Sequence, residues 1–247
     1  MKKIQLHAYA KINLTLDVTG KRPNGYHDVE MIMQQISLCD EVTVSWEAGS
    51  VRRGKPGQTA EPDPTGIQIQ LTVSRPDLPA DSSNLAWKAA EEMIAEFGGP
   101  AGGNAKTAAG TDAADGSSKA AAGTDAAGGV LTIDIQKQIP MAAGLAGGSS
   151  NCAAVLHAIN QLWALNLSVK ELCRIGARLG SDVPFCIMGQ AAAEKALQES
   201  FADDPDACHC ALATGTGTDL KPLTGLDSFI VLSKPAIGVS TAEVYRG

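Results

Sequence analysis

The chain has 247 residues, 44% hydrophobic and 19% charged, with a formal net charge of -7. That is enough apolar material for a sizeable core, in one large domain or two small ones. The acidic balance argues against general binding to nucleic acid or anionic membrane, and no apolar run approaches the length of a membrane span.

Met1-Lys2-Lys3 leads straight into alternating polar and apolar residues. No signal peptide is visible, so a cytoplasmic location is expected. Ile4, Leu6 and Ala8 read as one half-buried strand, and Ile12, Leu14, Leu16 and Val18 as its repeat. Between them, Lys11 and Asn13 share one face of an extended segment. A lysine there either neutralises a bound phosphate or is simply solvated. Lys21 to Gly25 is a turn by composition, and Tyr26-His27 follow it directly. The pair offers a stacking ring and a directional hydrogen-bonding group, or else Tyr26 caps the core.

Met31 to Ile36, and then Val42, Val44 and Trp46, read as two further strands, with Cys39-Asp40-Glu41 as the turn between them. Residues 48–66 read as a loop, and Ile67, Ile69, Leu71 and Val73 as a strand. Ser82-Ser83-Asn84 then precede a helical pattern (Leu85, Ala89, Met93, Phe97) that stops at Gly98-Gly99. Residues 98–129 are nearly pure Ala, Gly, Thr, Asp, Ser and Lys, and repeat Ala-Ala-Gly-Thr-Asp-Ala-Ala. They have almost nothing to bury and read as a disordered surface insertion.

Leu131, Ile133 and Ile135 form a strand that delivers the chain to Lys137 and then to Pro140-Met141-Ala142-Ala143-Gly144-Leu145-Ala146-Gly147-Gly148-Ser149-Ser150. A loop of small residues running into a helix start lets backbone N–H groups and the positive dipole end approach an anion. The same stretch also suits an ordinary loop with a serine cap. It is neither a Walker loop, since no lysine follows the last glycine, nor a dinucleotide fingerprint, since the glycine spacing is wrong. Val155, Leu156, Ile159, Leu162 and Trp163 then form an apolar stripe at helical spacing.

Ser168 to Glu171 fits a capping box for a helix carrying Leu172, Ile175 and Leu179. Gly180-Ser181-Asp182-Val183-Pro184-Phe185 pins a turn around one carboxylate. Asp182 there either handles a hydroxyl proton or serves as an Asx turn or helix cap. Residues 190–210 are poorly patterned, Gly215 to Thr218 mark a turn, Phe229 to Leu232 read as a buried strand, and Ser240 to Tyr245 open a next element. The six cysteines read as free thiols. Cys208-His209-Cys210 lacks the second ligand cluster that a structural zinc site uses, so no metal ligands are assigned.

Four motifs occur in order: Ala10-Lys11-Ile12-Asn13-Leu14, Asn24-Gly25-Tyr26-His27, the loop from Pro140 to Asn151, and Gly180 to Phe185. Together they resemble the GHMP kinase superfamily. The Lys-Ile-Asn and Gly-Tyr-His pairing is similar to the branch that phosphorylates a cytidine-diphosphate methylerythritol. The resemblance covers most of 1–189 and returns at about 213–245. It implies an α/β (α+β) GHMP kinase fold with mixed, largely antiparallel sheets. An N-terminal domain like ribosomal protein S5 would span 1–190, and 191–247 would begin a truncated second domain.

The resemblance further implies transfer of phosphate from ATP, with Mg2+, to a tertiary hydroxyl of a small molecule in isoprenoid precursor synthesis. Lys11 and Asp182 match the catalytic pair, Asp182 as base and Lys11 as its cationic partner. Asn84, Leu85, Lys137 and the loop Pro140, Met141, Ala142, Ala143, Gly144, Leu145, Ala146, Gly147, Gly148, Ser149 and Ser150 match the ATP site. Ser149 or Ser150 is the expected magnesium contact. Asn13, Tyr26, His27, Thr241 and Tyr245 match the substrate site, His27 reading the base edge and the tyrosines stacking. A monomer or homodimer is expected.

Two departures carry consequences. Ala142, Ala143 and Ala146 stand where members often have glycine, and any of them held at positive φ would be strained. Members also continue beyond the counterpart of Tyr245, through a late glycine-rich motif. Another GHMP small-molecule kinase, or a non-catalytic nucleotide-binding remnant, are the alternatives.

Overall fold

The computed structural model describes residues 1–22, 27–49, 66–100 and 128–234. Two long strands dominate it: β1 (Lys2–Lys21) and β2 (His27–Ala48) pair antiparallel along nearly their whole length. The two strands expected before residue 19 are therefore one, and so are the two expected between 31 and 46. No turn forms at Cys39-Asp40-Glu41, because Tyr9, Ala8 and His7 of β1 pair with these three residues and hold them in the ladder.

The other edge of β2 is shared. Its C-terminal part pairs antiparallel with β4 (Gly129–Gln136), and its N-terminal part pairs with β5 (Cys210–Thr214). β3 (Ile67–Val73) runs parallel to β4 on the outer side, and β6 (Asp219–Pro222) closes the sheet beside β5. The sheet is thus mixed and largely antiparallel. The expected boundary at 190/191 falls inside the helix α4 (Val183–Ala193), and β5 and β6 beyond it belong to this same sheet.

One face of the sheet is apolar by strict alternation. Leu6 and Ala8, Val42, Val44 and Trp46, and Leu131, Ile133 and Ile135 all point into the core. Helices cover that face. α1 (Leu85–Phe97) starts at Asn84, whose side chain accepts from the Ala86 N–H, and stops at Gly98 in the left-handed conformation. α2 (Gly147–Leu162) is buried almost all round rather than along one stripe, because α1, α4 and the sheet each cover part of it. Trp163 ends α2 and packs edge-on against Trp46. α3 (Val169–Leu179) begins with the expected reciprocal Ser168–Glu171 capping box. Among the described residues no helix is long and apolar enough to cross a membrane.

The strand expected at Phe229–Leu232 does not form. No described strand pairs with it, and Phe229 and Val231 are fully exposed. The expected loop at 48–66 and insertion at 98–129 lie mostly outside the described residues, as does the element expected at Ser240–Tyr245.

Candidate active site

The order of elements brings the motifs to one place. Between Tyr9 and Lys11 the pairing register of β1 with β2 slips, and Ala10 and Lys11, adjacent in sequence, are both buried. A bulge re-aims side chains in this way. It turns Lys11 inward, where only 5% of its surface remains exposed. The Lys11 N–H donates to the Leu145 carbonyl at 3.1 Å, which ties the bulge to the small-residue loop.

The Lys11 ammonium donates to Asn13 Oδ1 at 3.1 Å and stands 3.5 Å from an Asp182 carboxylate oxygen. Asp182 immediately precedes α4, yet its side chain caps nothing. The Asx-turn and helix-cap alternatives therefore do not hold, and the carboxylate is left for Lys11 and for whatever binds beside it. A nearly buried cation is costly without a partner, which is why such pairs concentrate where chemistry needs them.

The loop from Pro140 to Ala146 has positive φ at Ala142 (48°), Gly144 (71°) and Ala146 (55°). Left-handed residues alternating with others turn successive N–H groups toward one concavity, which suits an anion. α2 then begins with Ala146 as an N-cap that provides no side-chain acceptor, so the N–H groups of Gly147, Gly148 and Ser149 remain for a ligand. The serine-cap alternative does not hold. Ser149 and Ser150 sit within the first turn, and Ser150 is fully buried. Its hydroxyl donates to the Tyr9 carbonyl at 2.6 Å and accepts from Gln190 Nε2 at 3.1 Å, so it faces the protein, not a magnesium ion.

Ala142 and Ala146, of the three alanines singled out, are the strained ones. Each costs roughly 1–2 kcal/mol relative to a relaxed backbone. Ala142 is exposed, so little burial is lost with its methyl group. Ala142→Gly is expected to raise the unfolding free energy by about 0.5–1 kcal/mol, after allowing for the greater freedom of the unfolded glycine chain. Urea unfolding checks this, and an unchanged or lower stability would contradict the strain.

Loop and ion pair face a single cavity of about 720 Å³. Lys11, Asn13, His27, Asn84, Leu85, Lys137, Pro140 through Gly148, and Asp182 all line it. Ser149 and Ser150 do not, and Tyr26, Thr241 and Tyr245 lie outside the described residues. Asn84 spends its side chain on capping α1 and on the Pro79 carbonyl. The Lys137 ammonium is held by Asp40, an ion pair, and by Asn151 Oδ1 at 3.0 Å.

Sequence reasoning assigned no site role to the polar residues Asn151, Ser181 and Thr216, which also line the cavity beside apolar residues such as Val29, Met31 and Ile135, or to Asp40, which does not line it. Asp40 had a signal. It shares the parity of Val42, Val44 and Trp46, so a strand through it points it inward.

The pattern of the GHMP kinases N terminal domain matches residues 84–190. A 4-diphosphocytidyl-2-C-methyl-D-erythritol kinase of Alkaliphilus metalliredigens is 39% identical over 247 residues, covering 100% of this chain and 63% of the relative. One of Bacillus pumilus is 38% identical over 240 residues, covering 97% of this chain and 61% of the relative. The chain thus spans less than two thirds of the length of these relatives. Among solved structures, a 4-(cytidine 5'-diphospho)-2C-methyl-D-erythritol kinase superposes with a TM-score of 0.58 at 25% identity, over 98% of this chain and 63% of that one. A homoserine kinase from Cytophaga hutchinsonii shares the fold, with a TM-score of 0.52 at 14% identity over 100% of this chain and 60% of that one. Residues 84–190 are therefore a GHMP kinase N-terminal domain, and the fold that carries them is that of the GHMP kinases.

Proposed function

We propose that this chain transfers the γ-phosphoryl group of ATP to the 2-hydroxyl of 4-diphosphocytidyl-2-C-methyl-D-erythritol. One observation carries the reading: the pair of buried Lys11 and half-buried Asp182 opens onto the same cavity as the N–H-lined loop. The cavity volume falls in the range of small-molecule sites.

Asp182 takes the hydroxyl proton. Lys11 stabilises the charge that develops on the attacking oxygen, which can approach both groups because they are 3.5 Å apart. The N–H groups of 141–148 hold the phosphates in line, and positioning of this kind is most of what phosphoryl transfer requires. ATP supplies the phosphoryl group, and the P–O bond to ADP breaks as the bond to the alcohol oxygen forms. The described residues contain no group of three or more acidic, histidine or cysteine side chains that could hold a metal ion. Mg2+ is therefore assigned to the ATP phosphates and not to a protein cage.

His27 lines the cavity from the start of β2 and reads the cytosine edge in this proposal, with Tyr26 and Tyr245 stacking and Asn13 and Thr241 beside the substrate. The reaction is cytoplasmic and acts on a small molecule, carried out by a monomer or homodimer.

Release of ADP from Mg-ATP with and without this alcohol tests the proposal, alongside homoserine and mevalonate. Only the cytidine-diphosphate alcohol is expected to stimulate release. His27→Ala should raise its KM at least tenfold while the KM for ATP stays within twofold, the range expected when a polar reading contact is lost. Stimulation by another alcohol, or equal effects on both KM values, would count against cytosine reading.

A further inference from the structure

The phosphate loop is clasped at both ends by one carboxylate that lies outside the cavity. Asp40 is fully buried in the middle of β2, and its two oxygens serve two jobs. Oδ1 accepts from the backbone N–H of Gln138 at 2.6 Å and of Ile139 at 2.8 Å, the residues that lead into the loop. Oδ2 accepts from the Lys137 ammonium and from Asn151 Nδ2 at 2.9 Å, in the α2 helix that follows the loop. Asn151 Oδ1 returns to the Lys137 ammonium at 3.0 Å, so the three side chains form a closed triangle. Asn151 and Lys137 are themselves almost buried.

The triangle sits against the first residue of α2: a side chain added at Gly147 would meet the Lys137 ammonium at 3.2 Å. The loop between these anchors is otherwise tied at its far side by the Lys11 N–H to Leu145. Two of its residues are left-handed alanines, which relax elsewhere unless the ends are held. A buried ion pair of this kind is a poor source of net stability but a strict fixer of geometry.

We propose that Asp40 is a positioning residue for the nucleotide. Without touching the ligand, it holds residues 137–139 and the start of α2 at the separation that points the loop N–H groups into the cavity. The proposal rests on the kinase reading above.

Asp40→Asn keeps an acceptor for the Gln138 and Ile139 N–H groups but turns an NH₂ toward two donors and leaves Lys137 without its counter-charge. Asn151→Ala is the milder test, since it frees the α2 end and keeps the ion pair; because Asn151 also lines the cavity, amide exchange measured without nucleotide separates a loosened loop from a lost ligand contact. Calorimetry with a non-hydrolysable Mg-ATP analogue, and amide exchange over 137–151 without nucleotide, are read on both folded variants. Asp40→Asn is expected to weaken nucleotide binding at least tenfold, and Asn151→Ala about threefold. Exchange should quicken in 137–151 and not in β3 or α1, while the KM for the alcohol stays within twofold.

Should Asp40→Asn not fold, the threefold loss and local exchange in Asn151→Ala decide the matter. Nucleotide affinity unchanged in the folded variants, with only a lower melting temperature, would overturn the role and leave the kinase reading intact. A wild-type chain that binds no ATP analogue would overturn both.

Discussion

Asp182→Asn is expected to lower kcat of the proposed phosphoryl transfer by about 10³-fold, within the range attributed to a positioned general base. The substitution keeps the shape and removes the ability to take a proton together with the negative charge that faces Lys11. It leaves Lys11 beside a neutral amide at the 3.5 Å position, so the fold around α4 should survive. Lys11→Met should cost at least 10²-fold, as loss of one electrostatic stabiliser of the developing charge does. In both variants the KM for ATP should change little, because neither side chain belongs to the loop proposed to hold the phosphates. Steady-state kinetics on folded protein checks this. A kcat within tenfold of wild type for Asp182→Asn would remove it from the role of base.

Acid is expected to destabilise the protein through His157, well before the bulk of the carboxylates titrate. His157 lies in the buried helix α2 and is fully inaccessible. Its Nε2 pairs with the Ile187 carbonyl at 3.0 Å, its ring stands edge-on to Phe201, and its Nδ1 has no partner among the described residues. Burial pushes its pKa down to about 4, against the ordinary imidazole value of about 6.5. The folded state thus holds the neutral ring. Its stability is intact above the unfolded pKa and is lost as pH falls from about 6.5 toward the folded value, because the unfolded chain binds the proton first. Linkage gives a loss of about 2 kcal/mol between pH 7.5 and pH 5, a large share of a typical folding free energy. His157→Leu should remove that part of the slope. Urea unfolding at the two pH values, in wild type and variant, measures it, and equal slopes would contradict the assignment.

The local patterns that could be read from sequence were those in which side-chain period and turn chemistry agree. β3, α1, β4 and α3 appear where alternation, the helical pattern after Ser82-Ser83-Asn84, the Gly98 stop and the Ser168 capping box placed them. What could not be read was continuity between distant segments. β2 runs through Cys39-Asp40-Glu41 because β1 pairs with it there, and a turn-like composition carries no information about a partner thirty residues away. α2 is buried all round for a related reason: its neighbours, not its own periodicity, decide which faces are covered.

Within the site, the motif residues Lys11, Asn13, His27, Lys137, Asp182 and the loop through Gly148 converge on one cavity. The serines of the same motif do not, since small hydroxyl residues serve equally as ligands and as buried ties to backbone, and Ser150 is the latter. Asp40 was hidden by its neighbours Cys39 and Glu41, although its parity with Val42, Val44 and Trp46 marked the inward face. Phe229–Leu232 shows the converse. An apolar run is a strand only when another strand pairs with it, and none of the described ones does.

The measurement that bears most directly on the central claim is phosphorus NMR of the reaction products. The 247-residue chain is incubated with Mg-ATP and 4-diphosphocytidyl-2-C-methyl-D-erythritol. The account predicts a new phosphomonoester resonance that grows in step with ADP and is absent with Asp182→Asn. Inorganic phosphate in place of the phosphomonoester, or no ADP from a folded chain, would contradict it.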